Sequence, residues 1–262
     1  MIDIAITGAA GRMGQRLIAL AGQDGGFNIV GAIERADHPA IARDAGELAG
    51  IGAIGLPITF DLKPTPKLLI DFSAPASTRH WMKVCRDRRI AMLIGTTGLQ
   101  PADHASIDQA AVDIPILQSP TMALGVAVLF RIAAQLAKTL GDDYDIEIVE
   151  AHHRFKKDAP SGTALGLADS ILKATGKTRD ALVFGRHGDE TARQRGQITM
   201  HSLRYGDEVG RHSACFASIG ERLELTHVAT TRDTFVHGAL RAAKWLAGQP
   251  AGRYSLSDVL GL

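Results

Sequence analysis

Cysteine is the scarcest chemistry in this chain: 262 residues hold only two, Cys85 and Cys215. Two thiols make no disulfide framework, which fits a reducing compartment, and neither sits with histidines at familiar zinc spacing. A zinc site and a stapled secreted domain are therefore not expected. We place Cys85 in a helix and Cys215 in a strand, both as core residues. An excess of one charge is also missing. Lys and Arg total 29 against 28 Asp and Glu, a formal net charge of +1. Nothing in that balance points to nucleic acid or to a membrane surface. No apolar run of roughly 18 residues occurs, so no membrane span is expected. Ile2-Asp3-Ile4-Ala5-Ile6 has no basic lead-in and no signal core, and a cytoplasmic location is the expectation. Internal repeats and low-complexity tracts are absent. What remains is an ordinary globular composition, 45% hydrophobic and 22% charged, in a length that suits one large or two ordinary domains.

Residues 2–7 read as a short apolar strand that runs into Gly8-Ala9-Ala10-Gly11-Arg12-Met13-Gly14. A helix follows, with Met13, Leu17, Ile18 and Ala21 at inner spacing. A second strand, 27–33, ends at Glu34-Arg35, with Glu34 twenty residues after Gly14. Strand, glycine turn, helix, strand and acid make the dinucleotide-binding order, here with the variant spacing G-x-x-G-x-x-G. The glycines allow a tight turn and close approach to a pyrophosphate at the helix N-terminus. A glycine trio alone also serves a plain strand–helix connection; its context favours a cofactor. Glu34 suits a free ribose hydroxyl and Arg35 a 2′-phosphate, so NADH and NADPH are both admitted.

Alternation continues. We read 36–57 as helix and loops, 68–72 as a strand ending in Ser73-Ala74-Pro75, and 77–88 as a helix. A strand at 91–94 ends in Gly95-Thr96-Thr97-Gly98. A helix at 105–111 leads to a strand at 114–117, which ends in Ser119-Pro120-Thr121-Met122. This predicts an α/β, Rossmann-like, doubly wound parallel sheet. Ligands in such sheets collect at the C-terminal strand ends. Gly95, Thr96 and Thr97 are candidates for the nicotinamide side of the cofactor, and Ser119, Pro120, Thr121 and Met122 extend the same rim.

The second half is organised around Glu150-Ala151-His152-His153-Arg154-Phe155-Lys156-Lys157-Asp158-Ala159-Pro160-Ser161-Gly162-Thr163-Ala164. It lies between a strand at 144–151 and a helix at 163–175, with Ser161 as N-cap. Free backbone N–H groups at Gly162 and Thr163 favour an anion, and Arg154, Lys156 and Lys157 add positive charge. A small dicarboxylate suits such a loop, and the histidines can exchange protons near neutral pH. His152 and His153, adjacent in the chain, point to opposite faces of a strand and make poor joint metal ligands, so no metal is expected. A solvated basic loop is the plain alternative. Before this motif, 122–140 forms a long apolar helix with Leu124, Val128, Ile132 and Leu136 on one face. After it, strands near 197–205, 212–218 and 222–230 build an antiparallel or mixed sheet. A helix at 235–246 returns to the first domain. Two helices cover only one face of that sheet, so copies of the chain are expected to cover the other. The domains expected are 1–123 with 235–262 for the dinucleotide, and 124–234, an α+β domain with an open mixed sheet, for substrate and oligomerisation.

These motifs, in this order, resemble the 4-hydroxy-tetrahydrodipicolinate reductase (dihydrodipicolinate reductase) family. The resemblance extends through Arg204-x-Gly206-Asp207-x-Val209-Gly210-x-His212, Gly220-Glu221-Arg222-Leu223-Glu224-Leu225-x-His227 and Phe235-x-x-Gly238-Ala239-Leu240, and so spans nearly the whole chain. It implies a Rossmann domain plus a tetramerising sheet domain. It also implies NADH- or NADPH-dependent reduction of a small cyclic dicarboxylate in diaminopimelate and lysine biosynthesis. On the matching positions the resemblance implies that His152 is a proton donor or acceptor and Lys156 a second proton donor, while His153, Lys156, Ser161, Gly162 and Thr163 belong to the substrate site. Three departures stand out: Phe155 replaces a histidine, Thr121-Met122 stands where Asn-Phe is common, and Ala127 replaces an asparagine. Two other readings fit the residues less well. One is a related dehydrogenase acting on another imine or amino acid, which has no need of the dicarboxylate cradle. The other is a non-catalytic NADP(H)-sensing protein, which has no need of His152 and Lys156.

Overall fold

The computed structural model describes residues 1–189 and 191–262. The chain runs β1 (Ile2–Thr7), α1 (Arg12–Gln23), β2 (Phe27–Ile33), α2 (Ala45–Leu48), β3 (Ile58–Thr59), β4 (Leu68–Asp71), α3 (Pro75–Arg88), β5 (Ala91–Ile94), α4 (Pro101–Ala111) and β6 (Pro115–Gln118). It continues through α5 (Leu124–Leu140), β7 (Asp145–His152), α6 (Gly162–Thr175), β8 (Leu182–Phe184), β9 (Ile198–Arg204), β10 (Gly210–Ser218) and β11 (Glu221–Ala229). It closes with α7 (Asp233–Leu246), β12 (Gly252–Tyr254) and α8 (Leu256–Leu260). Two compact units result: Met1–Ala123 with Asp233–Gly261, and Leu124–Arg232.

The first unit is a seven-stranded parallel sheet in the order β12-β6-β5-β4-β1-β2-β3. Strands buried on both faces read as continuous apolar runs, and Leu68, Leu69 and Ile70 of β4 are fully buried. Crossovers reverse between β1 and β4, the switch point at which ligands bind in such sheets. Helix α1 buries Leu17, Ile18 and Ala21, and α7 packs on it. Arg16 grips Asp233 with two hydrogen bonds of 2.9 and 2.6 Å. Within 36–57, helix forms only over the four residues of α2. Asp44 organises the rest: its carboxylate accepts from the backbone N–H of Gly46, Glu47, Ile54 and Leu56.

The second unit is a mixed sheet in the order β11-β10-β7-β9-β8, antiparallel on both sides of β10 and parallel from β7 to β8. Ile146, Ile148, Ile198, Met200, Ala214 and Phe216 point from one face into a core closed by α5 and α6. By length and composition alone, Leu124–Asp143 could cross a membrane, with 20 residues at a mean hydropathy of 1.4. It is not an unbroken apolar run, and core helices of globular proteins share this length and composition. Arg131, Gln135 and Lys138 interrupt the apolar run but do not bring the average down far enough. In this fold Leu129, Ala133 and Ala137 bury its inner side.

Candidate active site

In the first unit the glycine turn is built by backbone geometry. Gly8 has φ +71°, a left-handed conformation that glycine adopts without steric cost. A side chain on Gly14 would place its Cβ 2.1 Å from the Gly8 carbonyl oxygen. Gly11 caps α1 without any side-chain hydrogen bond, which leaves the first-turn N–H groups open to an anion. Ala9 is buried, while Arg12 is exposed and Met13 half-buried beside the turn. At the end of β2, the Glu34 carboxylate accepts from the Ala10 and Arg35 backbone N–H groups at 3.3 and 3.1 Å. Arg35 is exposed and lies 3.4 Å from Asp37. Across the switch point, Gly95 leaves room for the Phe72 ring, which a Cβ would meet at 2.3 Å. Thr96 turns inward and Thr97 outward. Ser119 is buried and donates to the Thr121 carbonyl at 2.5 Å. Thr121 Oγ1 accepts from the Ala123 N–H at 3.3 Å. Pro120 is exposed and Met122 buried. These side chains shape the rim rather than project from it.

In the second unit the face that carries the core changes character along its strands. Beyond Ile148 on β7 come Glu150 and then His152, still in phase with Ile146. Glu150 pairs with His212 across the ladder and His212 with His227, so the apolar face ends in a polar row. Glu150 is 1% exposed, yet each of its oxygens has at least two donors. Arg204 gives both Nη groups, at 2.8 and 3.0 Å, His152 gives Nδ1 at 2.5 Å, and the Ser161 N–H lies at 3.2 Å. A carboxylate only accepts, so His152 carries a proton on Nδ1 and its Nε2 is left for other work. Ser161 caps α6 by accepting from the Ala164 N–H at 3.1 Å, and its hydroxyl also meets His212 Nε2 at 3.0 Å. The His152 and His212 rings stand edge to face, 5.1 Å apart.

Burial sets the protonation behaviour of this row. It works to raise the Glu150 carboxyl, but the donors from Arg204, Ser202 and His152 outweigh it and hold the group below the usual range. Burial lowers His152, and Glu150 pulls partly against that. Burial and the neighbouring His152 push His212 down to about 4. Glu150, His152 and His212 also bring ligand atoms within 4.8 Å of one another. The guanidinium on both Glu150 oxygens opposes a second cation there, so this group reads as a hydrogen-bonded network.

Beyond the strand, His153 is half-buried, with an unpaired, buried Nδ1. Lys156 Nζ lies 2.9 Å from Asp158 Oδ1. Gly162 is exposed, Thr163 half-buried and Ser161 buried. Phe155 is 78% exposed, which turns that departure toward solvent. Glu150, Arg204 and His212 were not singled out as site residues from sequence. A signal existed for Glu150: it is a charge in phase with the buried Ile146 and Ile148.

Two family models match the chain. "Dihydrodipicolinate reductase, N-terminus" covers residues 2–122 and "Dihydrodipicolinate reductase, C-terminus" covers residues 125–260. The chain belongs to the dihydrodipicolinate reductase family. A 4-hydroxy-tetrahydrodipicolinate reductase of Geotalea uraniireducens is 44% identical, with 100% of each chain covered. One from Alkalilimnicola ehrlichii is 46% identical over 99% of this chain and 98% of its own. Among solved structures, a dipicolinate-bound dihydrodipicolinate reductase from Paenisporosarcina sp. TG-14 superposes with a TM-score of 0.79 at 21% identity, over 97% of both chains. An amine dehydrogenase from Mycobacterium smegmatis reaches 0.68 at 15% identity, over 97% and 95%. As a member of this reductase family the chain is an NAD(P)H-dependent oxidoreductase. Its open helix N-terminus, its close-packed glycine turn and the Glu34 carboxylate fit a dinucleotide in chemistry and in space.

Proposed function

We propose that this chain reduces 4-hydroxy-tetrahydrodipicolinate to tetrahydrodipicolinate with NADH or NADPH, and that His152 and Lys156 provide the proton. The observation that carries this reading is the polar end of the second sheet. There a buried carboxylate holds an imidazole by Nδ1 at 2.5 Å, within the same loop as a lysine and the exposed N-terminus of α6. Gly162, Thr163 and Lys156 offer donors to two substrate carboxylates, with His153 half-buried in the same loop. The bound cofactor supplies the hydride. Reduction of a conjugated imine leaves an electron-rich enamine, which needs an acid within reach. His152, with Nδ1 anchored, presents Nε2; Lys156, held by Asp158, is the second donor. The same cations stabilise negative charge as it develops.

The sheet face opposite the one that α5 and α6 cover carries Val149, Ala151, Leu203, Tyr205 and Cys215. We assign this face to contact between copies, in a homotetramer. Two free cysteines, one buried and one half-buried, suit a cytoplasmic location.

The test is cofactor oxidation, followed by absorbance, with substrate generated in place from pyruvate and aspartate semialdehyde by the preceding synthase. Lys156→Ala should lose roughly 100-fold or more in turnover while NADH affinity stays within about twofold, because the glycine turn is untouched. Wild-type turnover in that variant would remove Lys156 from the mechanism. Absence of synthase-dependent oxidation in the unaltered protein would remove the substrate.

A further inference from the structure

Asp71 is a buried acid that the mechanism above leaves unused. It ends β4 at the switch point of the first sheet, in register with Thr7 of β1 and Ile94 of β5. Its side chain is 0% exposed. Four hydroxyls donate to it, two on each oxygen: Thr7 at 2.6 Å and Ser73 at 2.5 Å on Oδ1, Thr78 at 2.5 Å and Thr96 at 3.0 Å on Oδ2. Four donors on two oxygens fill the acceptor sites of a carboxylate anion; a protonated acid would have to turn one of them round. Among the described residues, no Lys, Arg or His forms an ion pair with it. Burying an anion without a countercharge is costly, and here four hydroxyl donors stand in for one.

The fold indicates where a countercharge arrives. Glu34 at the end of β2 marks the adenosine side of the cradle, and the N-terminus of α1, after β1, marks the pyrophosphate. The remaining half of a dinucleotide then extends over the ends of β4 and β5, where Thr96 is tied to Asp71. Thr96 Oγ1 also accepts from the Ser73 N–H at 3.0 Å, so the acid, both loops and the cradle floor form one unit. Hydride departure carries two electrons and a proton to the substrate carbon and leaves one positive charge on the nicotinamide ring. We propose that Asp71 is a positioning residue that acts by its charge: it biases the bound cofactor toward the oxidised form and so favours release of the hydride. This rests on the cofactor reading above.

The experiment is the ratio of NAD+ to NADH dissociation constants, read by titration of the full-length protein. In Asp71→Asn, the ratio Kd(NAD+)/Kd(NADH) should rise roughly tenfold, equivalent to raising the potential of the bound couple by about 30 mV for two electrons. Thr78→Val removes one hydrogen bond from the acid and keeps its charge. There both affinities should move together and the ratio stay within about twofold. An unchanged ratio in folded Asp71→Asn overturns the inference, as does an equal shift in Thr78→Val. Should Asp71→Asn not fold, the unaltered protein decides with benzamide adenine dinucleotide, a neutral isostere of NAD+. Tighter binding of NAD+ than of the isostere supports the charge; equal or weaker binding overturns it. If neither NADH nor NAD+ binds the unaltered protein, the cofactor reading itself falls, and this inference with it.

Discussion

Glu150→Gln should separate the structural work of the buried acid from its catalytic work. Two of the hydrogen bonds that the carboxylate accepts come from Arg204, at 2.8 and 3.0 Å. A glutamine has one oxygen with which to accept. Whichever way its amide is turned, an NH2 group faces one Arg204 nitrogen and either His152 Nδ1 or the Ser161 N–H. Removing one partner of a fully buried ion pair costs about 3–5 kcal/mol. Arg204 keeps 19% of its side chain exposed, so about 2–3 kcal/mol is the better figure. At roughly 2–4 °C per kcal/mol for a chain of this size, the melting temperature should fall by about 4–12 °C. The catalytic effect has its own sign. Burial lowers His152 and Glu150 raises it, so loss of the negative charge lowers it further. The acid form then disappears at a lower pH, and the alkaline fall in kcat moves toward acid. Turnover near neutrality should drop at least tenfold and recover in part as the pH is lowered. Melting curves and kcat against pH, with synthase-coupled substrate, read both effects. A folded Glu150→Gln protein with the wild-type pH profile would refute the anchoring of His152, whatever its stability.

Other expectations follow from the same geometry. His212 titrates near 4 in the folded protein and near 6.5 when unfolded. Between these values the unfolded chain binds the extra proton, so stability falls as the pH drops from about 6.5 to 4, by up to about 3 kcal/mol. Chemical denaturation across that window should show the slope, and His212→Gln should flatten it; an unchanged slope would clear His212. In Gly14→Ala the new Cβ meets the Gly8 oxygen at 2.1 Å and the Ala9 Cα at 2.7 Å. NADH titration should show lost binding, and the overpacking should cost about 1–3 kcal/mol of stability; retained affinity would mean that the turn can open. Leu203 is 46% exposed on the uncovered sheet face. Leu203→Asp should lower the oligomeric state seen by light scattering without unfolding the second unit, and an intact oligomer would move the interface elsewhere.

Short-range patterns were legible because they repeat every few residues. The strands at 27–33 and 91–94 have the bounds that alternation and apolar runs predict. Ser161 caps α6 as its place after Pro160 suggests. Helix α3 begins two residues before the expected 77, since proline at its first positions loses nothing by lacking an N–H. Strands β3, β8 and β12 carry no such pattern. They are only two or three residues long, too short for any period, and exist because a neighbouring strand offers a free edge.

Sequence alone was enough to specify the kind of machine: a parallel dinucleotide sheet, a second sheet with an uncovered face, and a loop rich in histidine and lysine. Period and motif are local, and a chain cannot hide them. Tertiary structure decided which polar groups meet. Arg204 reaches Glu150 across 54 positions, and His212 reaches Ser161 across 51. Thr7 and Thr96 close on Asp71 from 64 and 25 positions away. Those meetings depend on strand order and register, which are settled only when both faces of each sheet find their cover. A buried charge survives only where that packing delivers its partners, so the chemistry of Glu150 and Asp71 belongs to the fold rather than to the motif.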